Sequence, residues 1–329
     1  MADEAGISRR LKELRRPFDD APGAPAEGEA RIDMEHRSGF VAVIGKPNVG
    51  KSTLVNRFAG MKISITSPRP QTTRNKIKVI LTGEHYQVIF LDTPGIHFPR
   101  HMLGKSMVRT AEHALGEADA ALFVLEAPGL TEEDYLALDK LRDLKIPILV
   151  VVNKIDLAGT AQREKILRQA QELGLGKVYS VSALNGQGIK PLEDDMVGLL
   201  PAGPQYYPEE MITEHPERFF AAEFIREQIL AQTFAEIPHS IVVRIEEMRK
   251  RQDRELYFIR AVIFTEKESQ KGIIIGADGK RLKEIATKAR ENIEIFLGTK
   301  VFLQIWIKVR KNWRNSPQLL KQFGLTDEE

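Results

Sequence analysis

The run GKPNVGKS, Gly45 to Ser52, constrains this chain more than any other part of it. It fits the phosphate-loop pattern G-x-x-x-x-G-K-[ST], follows the apolar run Phe40–Gly45 and leads into a helical stretch from Thr53. Strand, glycine-bearing turn and helix in that order put backbone N–H groups at a helix N-terminus, where they favour an anion. Gly45, Lys46, Pro47, Asn48, Val49, Gly50, Lys51, Ser52 and Thr53 are the candidate phosphate cradle. Lys51 is placed to reach the β and γ phosphates, and the Ser52 hydroxyl to bind Mg²⁺.

Further apolar runs, Tyr86–Asp92, Ala120–Glu126 and Ile146–Lys154, read as strands covered on both faces. They alternate with helix-like stretches at Thr53–Ala59, Lys105–Gly116, Glu132–Leu144, Gln162–Leu173 and Ile189–Leu200. That alternation predicts an α/β fold with a mostly parallel, doubly wound sheet, and ligands at the strand C-termini. The rhythm breaks at Pro201-Ala-Gly-Pro204. Beyond it the expected order is a long helix (Glu217–Glu236), two strands (Ser240–Met248 and Glu255–Glu266), a glycine turn, a helix (Lys280–Phe296) and a strand (Lys300–Lys308), an α+β layout. We read residues 1–37 as a leader, 38–203 as the first domain, 204–212 as a linker and 213–329 as the second domain. Residues 7–16 of the leader could form a short helix. With no cysteine among 329 residues, disulfides, thiolate metal sites and cysteine nucleophiles are excluded. A cytoplasmic location is expected, there being neither an apolar run long enough to span a membrane nor a secretory signal.

Three short motifs refine the nucleotide. Asp92, Thr93, Pro94 and Gly95 close the strand Tyr86–Asp92, where the carboxylate can hold Mg²⁺ through water and Gly95 can offer its N–H to a γ phosphate. Asn153, Lys154 and Asp156 follow the next-but-one strand. The Asp156 carboxylate matches the N1–H and N2–H₂ donors of guanine, which adenine lacks, so the nucleotide is expected to be GTP or GDP. Ser182, Ala183 and Leu184 end a short strand, with the Ala183 N–H facing guanine O6. In the polar stretch Ser67–Lys76, a threonine can bind Mg²⁺ and relax when the γ phosphate leaves. Thr73 is the first choice for that role and Thr72 the second. Ile96 stands where Ras-type enzymes carry a water-orienting Gln, so slow hydrolysis is expected. His97 and His101 read as exposed loop histidines, because Pro99 spoils a helical pairing.

The chain carries only +2 net charge, but residues 271–324 hold 12 basic against 4 acidic residues. Within them, Gly276-Ala277-Asp278-Gly279 forms a Gly-x-x-Gly turn between two helical stretches, as in KH domains that clamp a single-stranded backbone. The candidate RNA contacts are Lys271, Gly272, Ile275, Gly276, Ala277, Asp278, Gly279, Lys280, Arg281 and Lys283, with Asp278 an unwelcome carboxylate there. Trp306 and Trp313 read as packing residues rather than a base-stacking platform.

Taken together, GKPNVGKS, QTTR, DTPG, NKID and SAL, joined to ESQKGIIIGADGKRLKEI and WIKVRKNWR, resemble the Era family of bacterial GTPases over about residues 38–324. The resemblance implies a P-loop GTPase domain followed by a type II KH domain. It also implies binding of the 3′ end of 16S rRNA, a role in 30S ribosomal subunit maturation, a monomer, and peripheral contact with the inner membrane. By similarity to related GTPases, Asn48 is a candidate K⁺ ligand.

Overall fold

The computed structural model describes residues 36–326 apart from 70, 235, 236, 238, 239 and 252–255; the expected leader helix lies outside them. Six strands form the first sheet: β1 (Arg37–Ile44), β2 (Ile77–Thr82), β3 (Tyr86–Asp92), β4 (Ala120–Glu126), β5 (Ile148–Asn153) and β6 (Val178–Ser180), in the order β2-β3-β1-β4-β5-β6. All neighbours run parallel except β2 with β3. The runs look uniformly apolar because alternate residues enter opposite layers. Val41, Val43 and Phe90 pack towards α1 (Lys51–Ala59), whereas Ala42, Ile44 and Phe123 pack with residues of α2 (Met102–Gly116), α3 (Glu132–Asp139) and α4 (Thr160–Glu172). Helix α5 (Ile189–Leu199) joins the first layer through Leu192 and Met196.

The second domain opens with α6 (Glu217–Gln232) and continues through β7 (Val242–Arg251), β8 (Leu256–Thr265), α7 (Glu268–Ile275), α8 (Lys280–Leu297), β9 (Lys300–Val309) and α9 (Pro317–Gln322). Its sheet runs β7-β8-β9, the first pair antiparallel and the second parallel. Helices α6 and α8 cover one face through Phe224, Ile229, Ile285 and Ile293.

The segment expected to be a linker is docked on the first domain. Gln87 Oε1 accepts from the N–H groups of Tyr206 and Tyr207, both at 2.9 Å, and Ile80 N donates to Ile212 O at 2.8 Å. Ile212 is buried, so this stretch covers the antiparallel edge of the sheet. One continuous apolar cluster runs from the first sheet through Ile63 and Ile65 into α6 and the second sheet.

Candidate functional site

The phosphate loop leaves β1 at Gly45 and turns into α1 through Gly50, whose φ is 96°. A Cβ on Gly50 would lie 2.3 Å from Asn153 Nδ2, so only glycine fits. Lys51 is buried, and its ammonium donates to Gly45 O (3.0 Å) and Lys46 O (2.8 Å). Burial pushes its pKa down to about 8, against the opposing pull of Asp92, Asp134 and Glu126. The Lys46 side chain points away from the loop, its ammonium pairing with Asp134 at 2.8 Å, so what it can offer a phosphate is its backbone N–H. The Val49 side chain is in the core, and its carbonyl accepts from Asn153 Nδ2 at 2.9 Å. A cavity of about 510 Å³ opens over the loop, lined among others by Pro47, Asn48, Ser52, Thr53, Thr73, Gly95, Lys154 and Leu184.

Asp92 is fully buried, and neither carboxylate oxygen completes a hydrogen bond of standard geometry among the described residues. Desolvation raises its pKa, opposed by the nearby Ser64 and Ser52 hydroxyls and by Lys51. The Ser52 and Thr73 hydroxyl oxygens lie 2.9 Å apart. Two hydroxyls and an uncompensated carboxylate form an oxygen donor set of the kind that Mg²⁺ takes alongside phosphate oxygens. Of the two candidate threonines it is Thr73 whose hydroxyl meets Ser52, whereas Thr72 Oγ1 turns away and donates to Arg69 O at 2.6 Å.

Thr93 Oγ1 donates to Val43 O at 2.7 Å, and Ile96 N donates to Gly45 O at 3.1 Å. A Cβ on Gly95 would come within 2.5 Å of Pro47 N, so this glycine lets the Pro94–Gly95 turn lie against the phosphate loop. The Ile96 side chain is wholly in the core. His97 is not the exposed histidine expected: it is 7% exposed, with Nδ1 2.8 Å from Gly95 O and Nε2 3.3 Å from Gln71 Nε2. The apolar packing of Ile96 fixes the loop so that the next residue turns inward towards Gln71.

Asn153 joins three loops. Its Nδ2 donates to Val49 O (2.9 Å), and its Oδ1 accepts from Ala183 N (3.0 Å). The Ala183 N–H, expected to face guanine O6, is thus engaged within the protein. Lys154, at φ 59°, pairs with Glu126 at 2.6 Å. Asp156 is half-buried and carries no hydrogen bond or ion pair to another described residue. Ser182 Oγ accepts from Asn185 N at 3.2 Å, and Leu184 stands exposed on the cavity wall. Asn48 Nδ2 donates to Pro68 O at 2.8 Å, linking the phosphate loop to the threonine loop.

Sequence reasoning missed the residues that hold the threonine loop from the second domain. On α6, Arg226 donates to Thr72 O, and Glu227 accepts from Thr66 N (3.1 Å) while pairing with Lys62 (2.5 Å). Arg74 returns the contact by donating to Ile241 O at 2.6 Å, and burial beside Arg226 pushes its pKa down to about 9. The available signal was an Arg-Glu pair inside the apolar run Phe219–Leu230, on a helix whose buried side has no room for unpaired charge.

The Gly-x-x-Gly turn sits between α7 and α8. Gly276 has φ 72°, and a Cβ there would meet Arg281 Cβ at 2.7 Å. Asp278, also left-handed at φ 50°, is exposed with its carboxylate 3.9 Å from Lys280 Nζ, so its charge is partly offset locally. Ala277, Gly272, Lys280 and Lys283 are exposed, while Lys271, Ile275, Gly279 and Arg281 are half-buried. Trp313 packs as expected, fully buried. Trp306 does not: it is 54% exposed, because its strand position faces away from α6 and α8.

A family model described as 50S ribosome-binding GTPase matches residues 40–154, and a KH domain model matches residues 236–314. The chain is 48% identical to a GTPase Era from Carboxydothermus hydrogenoformans over 90% of its own length and 100% of that protein. It is 47% identical to one from Alkaliphilus oremlandii, over 88% and 99% respectively. Among solved structures it is similar to an Aquifex aeolicus Era variant bound to GDP and aluminium fluoride (TM-score 0.85, 38% identity, 88% of this chain and 100% of that one). It is also similar to Era in complex with MgGDPNP and nucleotides 1506–1542 of 16S ribosomal RNA (TM-score 0.85, 39% identity, 89% and 100%). With a phosphate loop, an orphaned buried aspartate beside paired hydroxyls and a C-terminal KH fold in one chain, and relatives matched end to end, this protein belongs to the Era family of GTPases.

Proposed function

We propose that this GTPase is a nucleotide-gated RNA switch, in which the first domain's GTP state sets the grip of the KH groove on the 3′ end of 16S rRNA during 30S subunit maturation. The observation that carries this is the hold of α6 on the threonine loop: Arg226 on Thr72 O and Glu227 on Thr66 N. The RNA domain thereby touches the same loop whose Thr73 meets Ser52. The RNA partner is supported by the basic Gly-x-x-Gly face and by the rRNA complex of the similar Era structure.

In this reading Lys51 reaches the β and γ phosphates and the Gly95 N–H faces the γ phosphate. Asp156 recognises guanine N1–H and N2–H₂, with Asn153, Lys154 and the Ser182–Leu184 loop shaping the base site. Ser52, Thr73 and Asp92 would hold Mg²⁺, which would neutralise the negative charge that develops on the phosphates. With Ile96 in the core, no side chain at that position orients water, so turnover is slow and depends on added positive charge. Asn48 is the candidate ligand for K⁺ in that role; equal hydrolysis rates in potassium and sodium would remove it. The protein works as a cytoplasmic monomer with a peripheral contact at the inner membrane.

The decisive experiment measures binding of a 16S 3′-end oligonucleotide at one salt concentration, first with a non-hydrolysable GTP analogue and then with GDP. Tighter binding with the analogue is expected, the ratio giving the coupling between the sites. In Arg226→Ala that ratio should collapse towards one, and equal binding in the wild type would sink the gating.

A further inference from the structure

The Gly-x-x-Gly turn lies on the helical side of the KH sheet, and the opposite face of the same sheet has no assigned role. Strand register aligns its outward side chains in rows across β7, β8 and β9. Arg251, Leu256 and Lys300 form one row, and Arg249, Phe258 and Phe302 the next. They are followed by Glu247, Arg260 and Gln304, then by Arg244, Val262 and Trp306. Val242 and Phe264 of the last row, and Val262 of the row before it, pack with Trp313, Leu320 and the α2 residues Leu103 and Met107, which close that end of the face on β7 and β8 and leave Trp306 and Lys308 of β9 exposed. The other end is open. Phe302 is 55% and Trp306 54% exposed, an unusual use of two large aromatics on one strand.

The arrangement has the chemistry of a base-stacking platform. Phe258 and Phe302 stack with ring centroids 5.9 Å apart and planes at 13°. Arg249 and Arg260 lie over Phe258, their guanidinium carbons 5.4 and 5.5 Å from its centroid. Trp306 stands four residues along β9 from Phe302, about 13 Å at the usual strand rise, with Gln304 between them offering hydrogen-bonding groups. Among the described residues the rows carry six basic side chains; Glu246 and Glu247 lie beside them, and Lys300 at the edge pairs with Glu294 at 3.5 Å. The ion pairs Arg249–Glu247 (2.7 Å), Arg260–Glu247 (3.1 Å) and Lys308–Glu246 (3.3 Å) are solvent-exposed and weak, so a phosphate chain competes with them readily.

We propose that this open half-face, centred on Phe302 and Trp306, is a second binding surface for single-stranded RNA, on the opposite side of the KH sheet from the Gly-x-x-Gly groove. The occupant is RNA rather than protein: aromatic faces at strand spacing, arginines stacked on them and a surplus of positive charge serve bases and phosphates together, whereas a protein-docking core is depleted of charge. The inference rests on the RNA-binding reading of the KH domain for its partner class. It goes beyond that reading in assigning a different face.

The test uses the full chain with a 12-nucleotide oligouridylate at fixed salt, reading tryptophan fluorescence and binding by anisotropy. Trp313 is fully buried, so quenching reports Trp306. The expected result is saturable quenching in the wild type and affinity reduced about tenfold or more in Phe302→Ala/Trp306→Ala, with melting temperature and GTP hydrolysis unchanged. A groove variant, Lys280→Glu/Lys283→Glu, should weaken binding while leaving the quench at saturation. Absence of quenching, or wild-type affinity in Phe302→Ala/Trp306→Ala while the groove variant loses binding, overturns the platform and leaves the KH groove intact. Loss of binding in neither variant sinks both readings. Crosslinking of this face in cell extracts to protein alone would assign it to a protein partner instead, and overturn the proposal.

Discussion

Lys51 concentrates the cost of the nucleotide site in one residue. Its ammonium is buried among carbonyls, and its pKa falls from 10.5 to about 8. An amine lowered in the fold reduces stability fully below pH 8, where the unfolded chain holds the proton more tightly; the penalty fades as pH rises from 8 to 10.5. Lys51→Met should therefore abolish phosphate release yet stabilise the nucleotide-free protein near pH 7 by up to about 3 kcal/mol. Thermal melts from pH 7 to 10.5 should show that gain shrinking, and a pH-independent difference would contradict it. The two threonines make a second residue-scale contrast. Thr73 Oγ1 meets Ser52, whereas Thr72 Oγ1 bonds Arg69 O. Single-turnover hydrolysis should fall roughly 10²-fold in Thr73→Ala, the scale of removing one transition-state ligand, and remain within a few-fold of wild type in Thr72→Ala.

At the scale of elements, the linker is a fastening rather than a tether. His215 stacks on Phe219 at 4.3 Å, and its Nε2 lies 3.2 Å from Lys76 O, beside the docked segment. Burial pushes its pKa below 6.5, with the Lys76 carbonyl and the Glu214 and Glu223 carboxylates opposing and Lys78 assisting. A histidine lowered in the fold costs nothing above pH 6.5 and destabilises progressively as pH drops below that value. Proteolysis within residues 204–212 should therefore accelerate below pH 6.5, and His215→Phe should remove that response. An imidazole titrating at 6.5 or higher by NMR would refute the assignment. The helices themselves were largely readable from periodicity, α5 and α8 to within a residue or two of their ends. The region 132–144 was not, because helix α3 stops at Asp139 and gives way to turns that still bury Leu141.

Across the whole molecule, the domains share a core instead of hanging from a hinge. Trp313 is the clearest joint: fully buried, it packs with Leu103 and Met107 of α2, donates through Nε1 to Ser240 O at 3.1 Å and lies beneath Arg74 at 5.9 Å. Trp313→Ala should cost about 3–5 kcal/mol and enlarge the solution radius seen by X-ray scattering as α2 separates from the second sheet. Trp313→Phe, which keeps most of the packing and loses one buried hydrogen bond, should cost about 1 kcal/mol and leave the radius unchanged. A large loss of stability with no change in radius would mean that the tryptophan serves the second domain alone.

The sequence by itself determined the phosphate loop, the Asp92 and Asn153–Asp156 motifs, the KH turn, and the order of strands and helices except for the antiparallel edge strand β2 and the short helix α9, which no clear periodicity marks. Each depends on residue types at fixed short spacing, which local backbone geometry converts directly into chemistry. Only the tertiary structure decided which threonine meets Ser52, that Lys46 turns to Asp134, that His97 is buried and Trp306 exposed, and that Arg226 and Glu227 hold the threonine loop. Those outcomes depend on which face of an element meets a neighbour remote along the chain, 21 residues away for Thr73 and Ser52, 88 for Lys46 and Asp134, and more than 150 for the α6 contacts, and periodicity does not distinguish a side chain buried in its own domain from one buried by another.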